Sequence, residues 1–222
     1  MATSGTATFT LTVEDALEEA RGMVGGEITA GYQISAARRK LNLMMLDWIN
    51  RGVRLWTVEE ETQALTLGDN EYTLAADTVD ILDAYIRRDG VDTEVERLGR
   101  SRWADIPDKT QQGKPVQFFL NRQAAAPVLY LYLTPENSTD VFRYWRMRRI
   151  EDVTAQTQTM DMPARFLPAL TVGLASALAQ MPENKVPVDR RMELKADYEA
   201  TLLRAMQADR ERASLFIRPA RR

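Results

Sequence analysis

The chain has 222 residues, 45% of them apolar and 27% charged, with a net charge of −3, enough for a real core as one large domain or two small ones. It holds no cysteine and no histidine, which excludes disulfides, thiolate or imidazole metal sites, and Ser-His or Cys-His nucleophiles. Residues 185–222 carry ten basic and six acidic side chains, net +4, against nineteen and twenty-six in the rest, net −7, so a uniformly basic nucleic-acid binder is disfavoured while one basic end remains.

Residues 1–10 are small and polar and read as an arm. The segment MATSGTATFTLT lacks a basic start and an apolar run, so it is not read as a signal peptide. Thr12 followed by Asp15 resembles a capping box, and residues 13–23 read as a short helix stopped by Gly25-Gly26. Residues 29–52 then form the element around which the chain is expected to organise. Ile34, Ala37, Leu41, Met44 and Trp48 recur at spacings of three and four and share a helix face. Leu43, Met45, Leu46 and Ile49 make the second half apolar nearly all round, so it must be covered by other helices or by another chain.

The period changes after Gly52. Residues 55–67 alternate as a strand, and Gly68-Asp69-Asn70 can return residues 71–74 beside it as a hairpin. Residues 81–88 and 91–98 form a second pair around Asp89-Gly90. Residues 101–106 read as a helical turn, and 108–115, DKTQQGKP, as a surface loop. Residues 116–120, 128–133 and 141–147 read as three further strands in a meander. Helical spacing returns after Met162-Pro163, with Phe166, Leu167, Leu170, Leu174, Leu178 and Met181 on one side. This longest apolar run is interrupted by Pro168, Thr171, Gly173 and Ser176 and is too short for a comfortable membrane span, so a soluble protein of a cytoplasm is expected. Residues 188–212 read as a last, heavily charged helix.

The expected fold class is α+β: a helical bundle built from the N- and C-terminal helices, with an inserted antiparallel β-sandwich or barrel-like domain of roughly six strands. The expected divisions are an arm and helical hairpin at 1–54, the β-domain at 55–160, C-terminal helices at 161–213 and a tail at 214–222.

Little points to catalysis. There is no phosphate loop, since Gly113-Lys114 is followed by Pro115, and no dinucleotide glycine motif or calcium loop. Glu59-Glu60-Glu61 is the densest acid cluster and Glu151-Asp152 the next. Glu59 and Glu61 would share a strand face, as a carboxylate-based cell-wall hydrolase could use. With 32 acidic residues such pairs arise by chance, so a solvated strand is the preferred reading and no enzyme and no cofactor are expected. Arg143, Arg146, Arg148 and Arg149 flank Tyr144 and Trp145. A DNA-binding packaging protein could use them; the preferred reading is a strand with inward aromatics and arginines solvated or paired with acids. Leu215, Phe216 and Ile217 lie past the last helix beside Arg218, Arg221 and Arg222, either as a disordered end or as a segment that orders on a partner.

The order of motifs carries a resemblance. LNLMMLDWINRG followed by LW, then GDNEYTL, then DILDAYIRRDGVDTEVERLGRSRWADIPDKTQQGKPVQFFLNR, then LYLYLTP and FRYWRMRRIED, resembles the head-to-tail adaptor family of tailed bacteriophages. That family, also called connector or head completion proteins, includes the packaged-DNA stabilisation factors of short-tailed phages. The resemblance covers roughly residues 13–182. It implies a ring, typically of twelve copies, in the virion neck between the portal protein and the tail tube or nozzle. Such a ring extends the channel for double-stranded DNA without reading its sequence, and helps retain the genome. It implies that Leu215, Phe216, Ile217 and Arg218, with Arg221 and Arg222, form a portal-binding arm. The loop with Lys109, Gln111, Gln112 and Lys114 would face the tail component. Arg38 and Arg39 become candidates for the surface between neighbouring subunits.

Overall fold

Two periodicities in the chain become two units of structure, Met1–Leu55 with Ile150–Arg222, and Trp56–Arg149. A computed structural model describes residues 9–25, 31–53 and 55–209. The tail residues Leu215, Phe216, Ile217, Arg218, Arg221 and Arg222 lie outside them.

The first unit is helical. Helix α1, Val13–Val24, starts at a capping box in which the Asp15 amide donates to Thr12 Oγ1 at 3.2 Å and the Thr12 amide donates to Asp15 Oδ2 at 3.1 Å. The Thr12 hydroxyl also donates to that carboxylate and holds its pKa below the usual range. Gly25 ends the helix at φ +78°, its amide donating to the Arg21 carbonyl, a left-handed cap that suits glycine. Helix α2, Gly31–Asn50, ends in a Schellman motif: Gly52 sits at φ +86°, its amide donates to Ile49 and that of Val53 to Trp48. Val53 and Trp48 are both buried, which supplies the apolar contact that accompanies the motif.

The organising helix is α4, Leu167–Ala179, and not α2 as the sequence suggests. Helix α4 packs against α1, α2 and α5, Val188–Ala208, and is buried on nearly every side. Its small residues Ala169, Gly173, Ala175 and Ala179 let neighbouring helices approach closely. Among its described side chains, helix α2 buries Ala37, Leu41, Met44, Met45 and Trp48, and leaves Leu43 and Leu46 exposed at 61% and 44%.

At Gly173 the approach is tightest: a Cβ there would lie 2.6 Å from Met44 Sδ and 2.6 Å from a ring carbon of Tyr198. Met44 can shift, but the Tyr198 hydroxyl accepts from Trp48 Nε1 at 2.8 Å and its ring carries the Arg51 guanidinium at 5.7 Å. Gly173→Ala gains about 1 kcal/mol of helix propensity and loses more to overpacking, for a net destabilisation on the order of 1–2 kcal/mol. A lowered urea midpoint checks this; an unchanged or raised midpoint refutes it.

Residues 150–160, expected in the β-domain, belong with the helices. Val13 and Glu14 amides donate to Gln158 and Gln156 carbonyls at 3.0 and 3.1 Å. Asn42 exchanges two hydrogen bonds with the Val153 backbone, at 3.2 and 3.1 Å.

The second unit contains ten short strands: β1 Val58–Ala64, β2 Glu71–Thr73, β3 Thr78–Arg88, β4 Val91–Glu94, β5 Glu96–Arg97, β6 Gln112–Gly113, β7 Gln117–Asn121, β8 Val128–Tyr132, β9 Thr134–Pro135 and β10 Val141–Arg148. One sheet has the order β1-β10-β3-β4 and is antiparallel throughout. The other has the order β2-β8-β7-β5, and its β5–β7 edge is parallel, as is the separate β6–β9 ladder. One apolar cluster draws on both sheets, with Ile81, Ile86, Phe142 and Tyr144 from the first and Tyr72, Phe118, Leu129 and Leu131 from the second. The Phe118 and Phe142 rings meet edge-on at 5.8 Å. The fold is therefore α+β with an inserted β-domain.

Three pairings differ from the sequence reading, the first being that Glu96–Arg97, expected to continue the strand beside residues 81–88, forms β5 and pairs with β7 in the other sheet. Strands β1 and β2 are not a hairpin: β1 pairs with β10 and β2 with β8. Gly68, at φ +79°, donates its amide to Pro135, and Asn70 accepts from Leu131, so the turn at 68–70 carries the chain from one sheet to the other. The meander likewise stops at β8, since β10 inserts between β1 and β3. The Asp89-Gly90 hairpin is as expected, with φ of 52° and 81° at the two turn residues and Arg88 opposite Val91.

Candidate functional site

The loop at 108–115 is pinned to its own unit. Helix α3, Arg100–Ala104, places Trp103 against Phe119 and Tyr130, with ring centroids 5.9 and 5.6 Å apart. The half-buried Lys109 lays its ammonium 5.7 Å from the Trp103 ring centre and donates to the Ile106 carbonyl at 2.7 Å. Its own carbonyl accepts from Asn70 and Thr134 side chains. Lys114 donates to Thr93 Oγ1 at 2.6 Å, and Gln111 Oε1 accepts from the Tyr132 hydroxyl at 3.3 Å. Gln111 and Gln112 are exposed, as are Asp108 and Thr110, so these two amides are among the groups the loop offers outward, while Lys109 turns inward.

The acid run and the basic run of the sequence answer one another across the β1–β10 ladder. Register sets Glu59 opposite Arg146, Glu60 opposite Trp145 and Glu61 opposite Tyr144. Two register shifts between β10 and β3, at Trp145/Arg146 and Met147/Arg148, re-aim the end of β10, where both Arg146 and Met147 are buried. The Arg146 guanidinium reaches Glu59 at 2.5 Å, Asp77 at 2.7 Å and Glu61 at 3.5 Å, and donates to Thr78 Oγ1 at 2.8 Å. Burial alone would lower its pKa, but the bond to Asp77 and the charges of Asp77 and Glu59 outweigh that and raise it. Arg143 pairs with Glu60 at 2.6 Å and Arg148 with Glu59 at 3.4 Å. The stretch singled out for nucleic acid therefore spends these three charges within the sheet. The pair Glu59 and Glu61, singled out for hydrolysis, faces the same Arg146 guanidinium.

Tyr144, buried beside this network, has its phenol pushed up to about 12, first by burial and then by Glu61. Tyr72, Tyr85, Tyr130 and Tyr198 shift the same way, each first by burial. A raised folded-state value leaves stability intact below the unfolded value of about 10 and removes it as pH rises through the folded value. Stability is thus expected to fall between pH 10 and 12. Tyr144→Phe flattens that fall in denaturant titrations across this range; an unaltered slope refutes the assignment.

Among the described residues no group of three or more acidic side chains is placed to hold a metal ion, and no helix is long and apolar enough to cross a membrane. Arg38 is half-buried and donates to the Thr154 carbonyl. Arg39 and Lys40 are exposed, as are Leu43 and Leu46 further along α2. The sequence assigns Arg38 and Arg39 to the surface between subunits and has Leu43 and Leu46 covered by other helices or by another chain; no other described helix of this unit covers these two leucines, which stay exposed.

A family model described as SU10 adaptor protein matches residues 11–222 of the chain. No curated protein matches it.

Proposed function

The chain belongs to the SU10 adaptor protein family, whose members are phage structural adaptors, and from that premise we propose that it assembles as a ring, typically of twelve copies, between the portal and the tail tube or nozzle. In that role it turns over no substrate. It extends the DNA channel in the virion neck and helps retain the packaged genome, after assembly in the host cytoplasm. The observation that carries the reading is the family match, which runs through both units and into the tail.

The chemistry supports it. A channel for DNA works best without strong attraction for phosphate, and the β10 arginines are neutralised by Glu59, Glu60, Glu61 and Asp77. The tail SLFIRPARR combines an apolar triplet with three arginines, which suits a segment that orders against an acidic, apolar cleft. We assign Leu215, Phe216, Ile217, Arg218, Arg221 and Arg222 to the portal contact, and the exposed Gln111 and Gln112, with Lys109 and Lys114 behind them, to the tail component.

Mixing the purified protein with its cognate portal and imaging the product tests the reading. A ring docked on the portal is expected, lost on deletion of residues 214–222. Monomers beside a bare portal overturn the proposal, and normal docking by the truncated chain overturns the tail assignment alone. Tight binding to DNA in a gel shift at physiological salt, with a steep salt slope, would favour a packaging protein instead.

A further inference from the structure

Two faces remain once the helical unit has built its core, and they complement one another. On α2, Arg39, Leu43, Leu46 and Asn50 follow at spacings of four, three and four, and all four are exposed. This ridge is apolar in the middle and, with the exposed Lys40, basic towards the helix start. On α1, Glu14, Glu18 and Glu19 face solvent. Beside them run two grooves of about 400 Å³ each that adjoin at Leu11 and Glu19 and together make up the trough of this face. Phe9, Leu11, Leu167 and Pro168 give it an apolar lining, and Glu18 and Glu19 an acidic one.

An apolar ridge with a basic end fits an apolar trough with an acidic rim. The two are different patches of one unit, so joining them makes a heterologous contact, which repeats from copy to copy and closes a ring when the rotation allows. We infer that α2 of one copy seats in the α1 trough of the next, with Leu43 and Leu46 entering the apolar lining and Arg39 and Lys40 meeting Glu18 and Glu19. The occupant is a second copy of this chain. The inference rests on the ring reading above and names the surface that makes the ring.

Charge reversal tests it by electron microscopy of the full chain mixed with portal. Arg39→Glu with Lys40→Glu, and separately Glu18→Lys with Glu19→Lys, are each expected to cut the number of rings at least tenfold while circular dichroism stays unchanged. All four substitutions together are expected to restore rings. Met192→Glu, on α5 and exposed at 68%, is expected to leave them intact. Rings that survive both reversals, or that the fourfold variant fails to restore, overturn this contact and leave the ring reading standing. Loss of rings in Met192→Glu alone places the contact on α5 instead. Absence of rings from the unaltered protein removes the reading beneath it.

Discussion

Trp48→Ala is expected to lower the stability of the helical unit by about 3–5 kcal/mol. Trp48 is fully buried, stacks obliquely on Phe166 with ring centroids 5.7 Å apart, and donates its indole N–H to Tyr198. Removing it opens a cavity where α2, α4 and α5 converge. The Tyr198 hydroxyl also loses a donor, and its ring loses the support that sets it against Gly173. With a urea slope of about 2 kcal/mol/M, the midpoint followed at 222 nm should move down by roughly 2 M. Trp48→Phe keeps most of the ring volume but not the hydrogen bond, and should cost about 1–2 kcal/mol. Equal effects from the two substitutions would show that the hydrogen bond, and not the packing, holds this junction.

The second large effect is expected in the β-domain, at Asp140. Its side chain is fully buried and accepts from Arg88 Nε at 2.9 Å and from Nη2 at 2.6 Å. Arg88 also reaches Glu136 at 2.7 Å. The Asp140 carbonyl accepts from Leu65 and its amide donates to Asn137, so this pair fixes the strand crossing between β1, β3 and β10. Asp140→Ala leaves the half-buried guanidinium with Glu136 alone. The loss from breaking one side of a buried pair is about 3–5 kcal/mol, and the retained Glu136 keeps it near the lower end. Hydrogen exchange over residues 78–94 and 141–148 should then speed up about 100-fold. Replacing both partners with apolar residues, Arg88→Met with Asp140→Leu, should cost less than Asp140→Ala by itself. A double variant that is worse than the single one contradicts this account.

What the sequence reveals best is punctuation. The Thr12–Asp15 box, Gly25, Gly52 and Asp89-Gly90 each require a local backbone geometry that few residues satisfy, and all act as read. Pairing partners are less legible, because Gly68-Asp69-Asn70 makes the same local turn whether the chain returns beside itself or crosses to another sheet. Only the burial of Leu65 and Tyr72 in a shared core decides between them. The order of importance of the helices is hidden for a related reason. Large apolar residues advertise α2, whereas α4 earns its central place through small ones, whose value shows only when neighbours press against them. At the candidate site, the Glu59-Glu60-Glu61 run and the arginines of β10 are each visible. Their mutual neutralisation depends on a register between residues more than eighty positions apart. The inward turn of Lys109 depends on Trp103 in the same way.

The pairing of Val58 with Met147 bears on how the chain reaches its native state. It brings the first and last strands of the inserted unit side by side, about 5 Å apart. The inserted unit is continuous in sequence, so it can fold on the ribosome before α4 has been made. Once it has, the 116 residues between α2 and α4 are no longer all free, because those from Val58 to Met147 are tied off as a closed staple. That shortening of the effective loop removes about 1 kcal/mol of closure entropy from the docking of α4 on α1 and α2. An insertion that interrupts the helical unit in sequence thus becomes the device that lets its distant halves find each other.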